Sequence, residues 1–258
     1  MILSSASSRR PGLLRRLLSR NWAVLLMLAL WQGWVSLAGL NSIVLPAPGP
    51  VMRDVLGHPG LYLGNAAQTL ATAAAGVAIG LVLGALVALA AWASRLLSGL
   101  LTPLGLIFSS VPVVALIPIL ARVLGYDIST VVAIVAVSAF FPTFVFVGAG
   151  LRDLPRGAED LFGVLGAGRR ARLRHLVLPA AVPNVMIALR LTVPEGVLAA
   201  ILAEFLMGRS GLGFMFREAA SRFAMERALG TSLVVTLAAV LCFSLAHRAE
   251  RVVRTRWS

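Results

Sequence analysis

Lysine is absent from this chain, and all 23 of its basic residues are arginines. A nucleotide-binding P-loop requires the pattern G-x-x-x-x-G-K-[ST], in which the lysine contacts the β- and γ-phosphates. The chain therefore contains no P-loop, and if ATP drives its activity, another subunit must bind the ATP. A catalytic lysine that forms a Schiff base is excluded on the same ground.

Cysteine and histidine are also scarce. The single cysteine, Cys242, excludes an intrachain disulfide, and the three histidines, at positions 58, 175 and 247, are scattered along the sequence. Such spacing does not indicate a zinc site. We therefore expect neither a metal nor a cofactor.

Charged side chains make up only 13% of the chain, whereas 59% of its residues are hydrophobic and the mean hydropathy is +0.92. A soluble domain of this length could not bury so much apolar surface, so a lipid bilayer must be its solvent. The net charge of +13 does not indicate nucleic-acid binding, because most arginines flank apolar runs, as membrane topology requires.

Spanning a bilayer takes about 20 mostly apolar residues in a helix. The apolar segments of suitable length are residues 22–40, 69–93, 100–120, 129–151, 183–205 and 229–246. The sequence therefore predicts an all-α membrane protein with about six transmembrane helices. Its predicted parts are an N-terminal segment (1–21), a transmembrane domain (22–246) and a C-terminal tail (247–258).

The arginines are distributed unevenly between the two sides of these segments. With the N-terminus in the cytoplasm, sixteen arginines lie on cytoplasmic segments and six on outer segments. The positive-inside rule therefore places both termini, and the loop 152–182, in the cytoplasm. The alternative for the N-terminus is a cleaved signal peptide. The first apolar segment is too long for one, and no A-x-A cleavage site follows it.

The polar, arginine-rich stretch 160–179, DLFGVLGAGRRARLRHLVLP, follows the fourth apolar segment. It resembles the cytoplasmic coupling loop of bacterial ABC-importer permeases, whose pattern is E-A-A, three residues, Gly, nine residues and Ile-x-Leu-Pro. The spacing of this pattern is kept, with its positions occupied by Asp160, Gly166, Leu176 and Leu178-Pro179. The departures are Asp160 for Glu, Leu161-Phe162 for Ala-Ala and Leu176 for Ile.

Two further stretches resemble the nitrate/sulfonate/taurine importer permeases within that family: the proline-rich loop 45–50, and Glu204 followed by Gly211-Leu-Gly213. The resemblance implies a type I ABC-importer permease fold with a cytoplasmic coupling helix, in the bacterial inner membrane. It implies a transport subunit rather than an enzyme, paired with a second permease copy as a homodimer. The implied partners are two ATP-binding ABC subunits and an extracytoplasmic binding protein, and the implied cargo is a nitrate-, sulfonate- or taurine-like solute or, alternatively, a thiamine-precursor pyrimidine.

Within the loop, Asp153 and Pro155 predict the start of a short helix and Gly166 predicts its end. Leu161, Phe162 and Leu165 share one face, which suits insertion into a groove on a partner. The ATPase-coupling residues expected from the resemblance are Glu159, Asp160, Leu161, Phe162, Leu165, Gly166 and Ala167. An amphipathic helix lying on the inner membrane surface is the alternative. For the arginines that follow, at 169, 170, 172 and 174, we favour anchoring to lipid headgroups over contact with the ATPase.

Polar and kink-forming residues within the apolar segments predict a translocation path, because ionisable groups inside membrane-spanning segments mark the routes of substrates or ions. The path candidates are Ser109, Ser110, Pro112, Glu195 and Glu204. Glu195 and Glu204 lie nine residues apart, on opposite faces of a helix, so they do not form a pair. For Glu204, bonding to the following loop is the favoured role. Arg190 is expected to reach toward the cytoplasmic surface.

Two other function classes compete with the importer permease. An ion-coupled secondary transporter would need no ATPase and would show inverted repeats, which the sequence lacks. A membrane scaffold or assembly factor is the other alternative. The internal loop 152–182 favours the importer permease over both.

Overall fold

The computed structural model describes residues 13–109 and 111–257, and these residues are almost entirely helical. The helices are α1 (Leu13–Leu37), α2 (Pro48–Gly57), α3 (Pro59–Ala93), α4 (Arg95–Ser109), α5 (Val113–Leu124), α6 (Ile128–Gly150), α7 (Ala158–Val164), α8 (Arg169–Arg172), α9 (Leu178–Met207), α10 (Leu212–Ser221) and α11 (Met225–Trp257). A π-helical turn, Leu173–Val177, joins α8 to α9.

The centre of the fold is α6, which packs against α3 on one side and α9 on the other. Their contact is lined by small and β-branched side chains, including Val77, Val135, Ala139, Val197 and Ala200. Many side chains on the outward faces of the long helices are apolar and exposed, as lipid-facing positions of a membrane protein are. The predicted all-α membrane fold is confirmed.

Gly76, Gly80 and Gly84 line the face of α3 that contacts α6. A Cβ at Gly80 would lie 2.5 Å from the carbonyl oxygen of Ala136, and one at Gly84 would lie 2.7 Å from that of Phe140. The glycine row therefore lets two helix backbones approach closely, as small-xxx-small rows do in membranes.

We expect Gly80→Ala to destabilise the α3–α6 pair by about 1–3 kcal/mol, because its methyl group meets backbone that cannot move aside easily. Gly64→Ala is the matched control, since a Cβ at Gly64 of the same helix meets nothing within 4 Å. Thermal unfolding of both variants in detergent tests this. Equal melting temperatures for the two variants would contradict the packing argument.

The predicted third span, residues 100–120, is wrong as a single helix. α4 ends at Ser109, and α5 begins at Val113 after Pro112, whose backbone is extended (φ −61°, ψ 117°). Pro112 has no N–H to donate to a preceding turn, so the helical ladder stops there. Pro118, by contrast, lies inside α5. The α4–α5 region therefore consists of two short helices, of 15 and 12 residues.

Four helical stretches in the described part of the chain are long and apolar enough to cross a membrane: Pro59–Ala93, Ile128–Gly150, Arg169–Met207 and Met225–Val253. The apolar part of α1, Trp22–Leu37, and α5 are shorter. Residues 247–257, predicted as a C-terminal tail, are helical and continue α11. The short helices α2 and α10 were not predicted, because each is only 10 residues long.

Candidate functional site

The coupling segment forms a short helix that starts later than the sequence predicts. Asp153 and Pro155 precede α7, which begins at Ala158. Gly157 stands immediately before it with φ +76°, a left-handed conformation that a right-handed α-helix does not contain. The predicted start at residues 153–155 is therefore wrong, because Gly157 interrupts the helical backbone.

α7 ends at Val164, and the turn that terminates it contains the predicted glycine. Gly166 has φ +63°. Its N–H donates to the carbonyl of Gly163 at 3.0 Å, and the N–H of Ala167 donates to that of Phe162 at 3.0 Å. These two bonds form a Schellman motif, which satisfies carbonyls left free at a helix end.

The apolar side chains of α7 contact little of the protein. Leu161 is 57% exposed, Val164 is 87% exposed and Leu165 is 69% exposed, while Phe162 is half-buried. Val164 was missed by the sequence analysis, although it lies three residues after Leu161 on the same helical face. Exposed apolar side chains grouped on a short helix mark an interaction surface.

Hydrogen bonds on either side of α7 join the coupling loop to the membrane bundle. Arg152 donates to Ser98 Oγ at 2.8 Å. Arg169 donates to the carbonyl of Ala93 and stands over the ring of Trp92 at 5.7 Å. The ends of α3 and α4 are thus joined to the loop that carries α7.

Arg172 pairs with Glu159 across the coupling loop. Arg169 and Arg172 therefore both bond to other residues of the chain, a role that was not predicted from the sequence. Arg170 and Arg174 remain exposed, as headgroup anchoring would require. Asp160 is exposed on the same helix.

A cavity of about 270 Å³ lies between α4, α5, α6 and α9. Pro112 and Glu195, two of the predicted path residues, both line it. Ser138 donates a hydrogen bond to Glu195 Oε1 at 3.4 Å. Of the other three candidates, Ser110 and the side chain of Ser109 lie outside the described part of the structure.

Glu204 occupies a different environment. It is 2% exposed, and its Oε2 accepts hydrogen bonds from Thr69 Oγ1 at 2.8 Å and from the N–H of Gly213 at 3.1 Å. Thr69 Oγ1 in turn accepts from the N–H of Leu212 at 2.8 Å. These contacts support the loop-bonding role for Glu204, with the carboxylate holding the start of α10 against α3.

Arg190 is satisfied within the protein. Its guanidinium donates to Glu250 Oε2 at 3.0 Å, and Glu250 is only 5% exposed. This ion pair joins α9 to the C-terminal part of α11. The sequence pattern gave no sign of this role for Glu250, because the residue follows the sixth apolar segment, in the predicted C-terminal tail.

A cluster of polar side chains around Asp54, at the opposite end of the bundle, was also not predicted; His58 Nδ1 lies 3.3 Å from Asp54 Oδ1. Arg227 donates to Asp54 Oδ1 at 3.0 Å, and Tyr62 Oη donates to Asp54 Oδ2 at 2.6 Å. Burial opposes the charge on Asp54, but the bonds from Arg227 and Tyr62 outweigh burial, so the pKa of Asp54 lies below 3.8. Because 173 residues separate Asp54 from Arg227, no local pattern reveals this pair.

Asp54→Asn should destabilise the protein by about 1 kcal/mol at pH 7, since the charge-assisted bond from Arg227 is lost. The folded-state pKa of Asp54 is lowered, so its contribution is present above pH 3.8 and disappears as the pH falls through the folded value. Melting curves of the wild type and the variant should differ at pH 7 and converge well below pH 3.8. Asp153→Asn, at an exposed position, serves as the control. A difference that persists in strong acid would contradict the assignment.

Residues 76–258 match the sequence model of a family described as "Binding-protein-dependent transport system inner membrane component". The formylaminopyrimidine transport permease protein ThiX of Halalkalibacterium halodurans is 29% identical over 229 residues, covering 88% of this chain and 91% of that protein. The putative aliphatic sulfonates transport permease protein SsuC of Bacillus subtilis is 25% identical, covering 87% of this chain and 82% of that protein.

A similar fold occurs in a solved structure. A chain from inward-facing conformations of the MetNI methionine ABC transporter superposes with a TM-score of 0.66 at 19% sequence identity. The match covers 76% of this chain and 98% of that one. At this identity the likeness concerns the fold alone.

Proposed function

Since the chain belongs to the family of binding-protein-dependent transport system inner membrane components, the multi-pass permeases of ABC importers, we propose that it carries a small solute across the inner membrane in an ATP-driven importer. The solute is delivered by an extracytoplasmic binding protein. ATP is hydrolysed on a separate ABC subunit, because a chain without lysine has no P-loop.

The main support for this proposal is the exposed apolar face of α7, formed by Leu161, Val164 and the adjoining Leu165. The bonds of Arg152 and Arg169 attach this helix to the ends of membrane-embedded helices. A partner that holds α7 in a groove can therefore transmit its movement to the bundle. Helix-in-groove docking of an ATPase subunit explains why so apolar a face remains uncovered by this chain.

The complete importer contains two copies of this permease and two ATPase subunits, because one chain supplies one coupling helix. The excess of arginines on the predicted inner segments supports cytoplasmic termini and a cytoplasmic α7. The names of the relatives include aliphatic sulfonates, a formylaminopyrimidine and riboflavin as solutes. Of such classes, the proposed cargo is an oxyanion of the sulfonate type or a pyrimidine.

Co-purification with its ATPase tests the proposal. The permease should hold the ATPase in a stoichiometric complex, and mass measurement of that complex should give two copies of each chain. Uptake into proteoliposomes should require ATP and the binding protein. An ATP-independent, ion-driven uptake by the permease alone would instead establish a secondary transporter. A complex with a different second permease would overturn only the homodimer.

A further inference from the structure

The cavity beside Glu195 combines one carboxylate with an otherwise largely apolar wall. Its wall is apolar except for Glu195 and Ser138. Glu195 lies about 26 Å along α9 from Leu178 and about 18 Å from Met207, at a rise of 1.5 Å per residue. The carboxylate is therefore well inside the membrane-spanning helix and faces a cavity rather than the packed core.

Aromatic rings form one side of this cavity. Phe108 of α4 and Phe141 of α6 stack with ring centroids 5.3 Å apart and an interplanar angle of 14°. Phe108 is 49% exposed, so part of its surface is available to a molecule in the cavity. A flat ring extends such a stack favourably, because aromatic rings attract each other in offset-stacked arrangements.

The charge of the cavity argues against an anionic occupant. None of the described residues that line it is basic. The arginine of the same helix, Arg190, does not line the cavity and is bound to Glu250. An oxyanion next to Glu195 would meet like charge in a low-dielectric site without compensation, which is strongly unfavourable.

From this geometry we propose that Glu195, Ser138 and the Phe108–Phe141 stack form a transient solute site that selects flat nitrogen heterocycles bearing amino groups, neutral or protonated. The Glu195 carboxylate accepts hydrogen bonds from the amino group, and the phenyl rings stack on the heterocycle. Glu195 is thus a specificity-determining residue. The inference rests on the proposed function, since the site lies on the path only if the chain is a permease.

Ligand-detected saturation-transfer NMR on the permease–ATPase complex in nanodiscs tests the site, since the method detects weak binding. The probes are 4-aminopyrimidine and ethanesulfonate. We expect 4-aminopyrimidine alone to bind the wild type. Glu195→Gln should weaken this binding about tenfold through loss of a charge-assisted hydrogen bond. Glu195→Asp, which keeps the carboxylate, should retain most of the wild-type affinity.

Glu218→Gln is the control, because Glu218 pairs with Arg222 on the surface of α10 and does not line the cavity. Binding of ethanesulfonate as strongly as 4-aminopyrimidine, or no binding of 4-aminopyrimidine to the wild type, would overturn the inference. So would equal affinity in Glu195→Gln and the wild type. ATP-dependent uptake of the cargo selected by the binding protein is measured separately, so a complex that transports an anion refutes the site and leaves the permease assignment standing.

Discussion

Gly166→Val should abolish most ATPase docking while leaving membrane insertion intact. Gly166 has φ +63° and a Cβ there would meet no atom within 4 Å, so only backbone conformation opposes a side chain. The left-handed region costs a residue with a Cβ about 1–2 kcal/mol, and a β-branched residue is among the least suited to it. Redirecting the end of α7 should therefore reduce co-purified ATPase about tenfold or more.

Gly166→Asn provides the matched comparison, because asparagine tolerates the left-handed conformation and also occurs at helix ends. It should retain docking close to that of the wild type. Both variants are compared by the yield of permease in membranes and by the ATPase recovered with it. If valine and asparagine dock the ATPase equally well, the Schellman turn at Gly166 does not control the interface.

Glu204→Leu should cause the largest loss of folding stability among the substitutions discussed. Leucine removes the acceptor of the Thr69 hydroxyl and of the Gly213 N–H, both in a buried setting. Each buried donor left without a partner costs roughly 1–3 kcal/mol. Because Thr69 also accepts from Leu212, the connection between α9 and α10 should loosen as a unit. We expect poor recovery of the folded permease and a much lower melting temperature.

Glu204→Gln separates this structural role from a role in solute passage. Glutamine keeps the shape of the side chain and an acceptor oxygen for Thr69 and Gly213, so stability should remain close to that of the wild type. Uptake should then also persist. A stable Glu204→Gln permease without uptake would show that Glu204 acts on the solute, and a stable Glu204→Leu permease would contradict the loop-bonding role.

The end of α7 and its exposed apolar face could be predicted because their determinants are local. The end of α7 depends on one glycine and its neighbours, and the exposed face depends on residues three and four apart in sequence. Apolar segments of sufficient length likewise predict membrane helices from composition alone. The start of α7 escaped prediction, because Asp153 and Pro155 are ordinary start signals and only the backbone at Gly157 shows where the helix begins.

Composition and short-range spacing are sufficient to predict the membrane class, the absence of a P-loop and the coupling motif. The tertiary structure was needed to show that Glu204 is buried and bonded to Thr69 and Gly213, whereas Glu195, a carboxylate of the same helix, lines the cavity between α4, α5, α6 and α9. It also decided the partners of Asp54 and Glu250. Membrane helices bury polar groups only where another helix satisfies them, and which helix lies opposite is a long-range outcome that no local pattern contains.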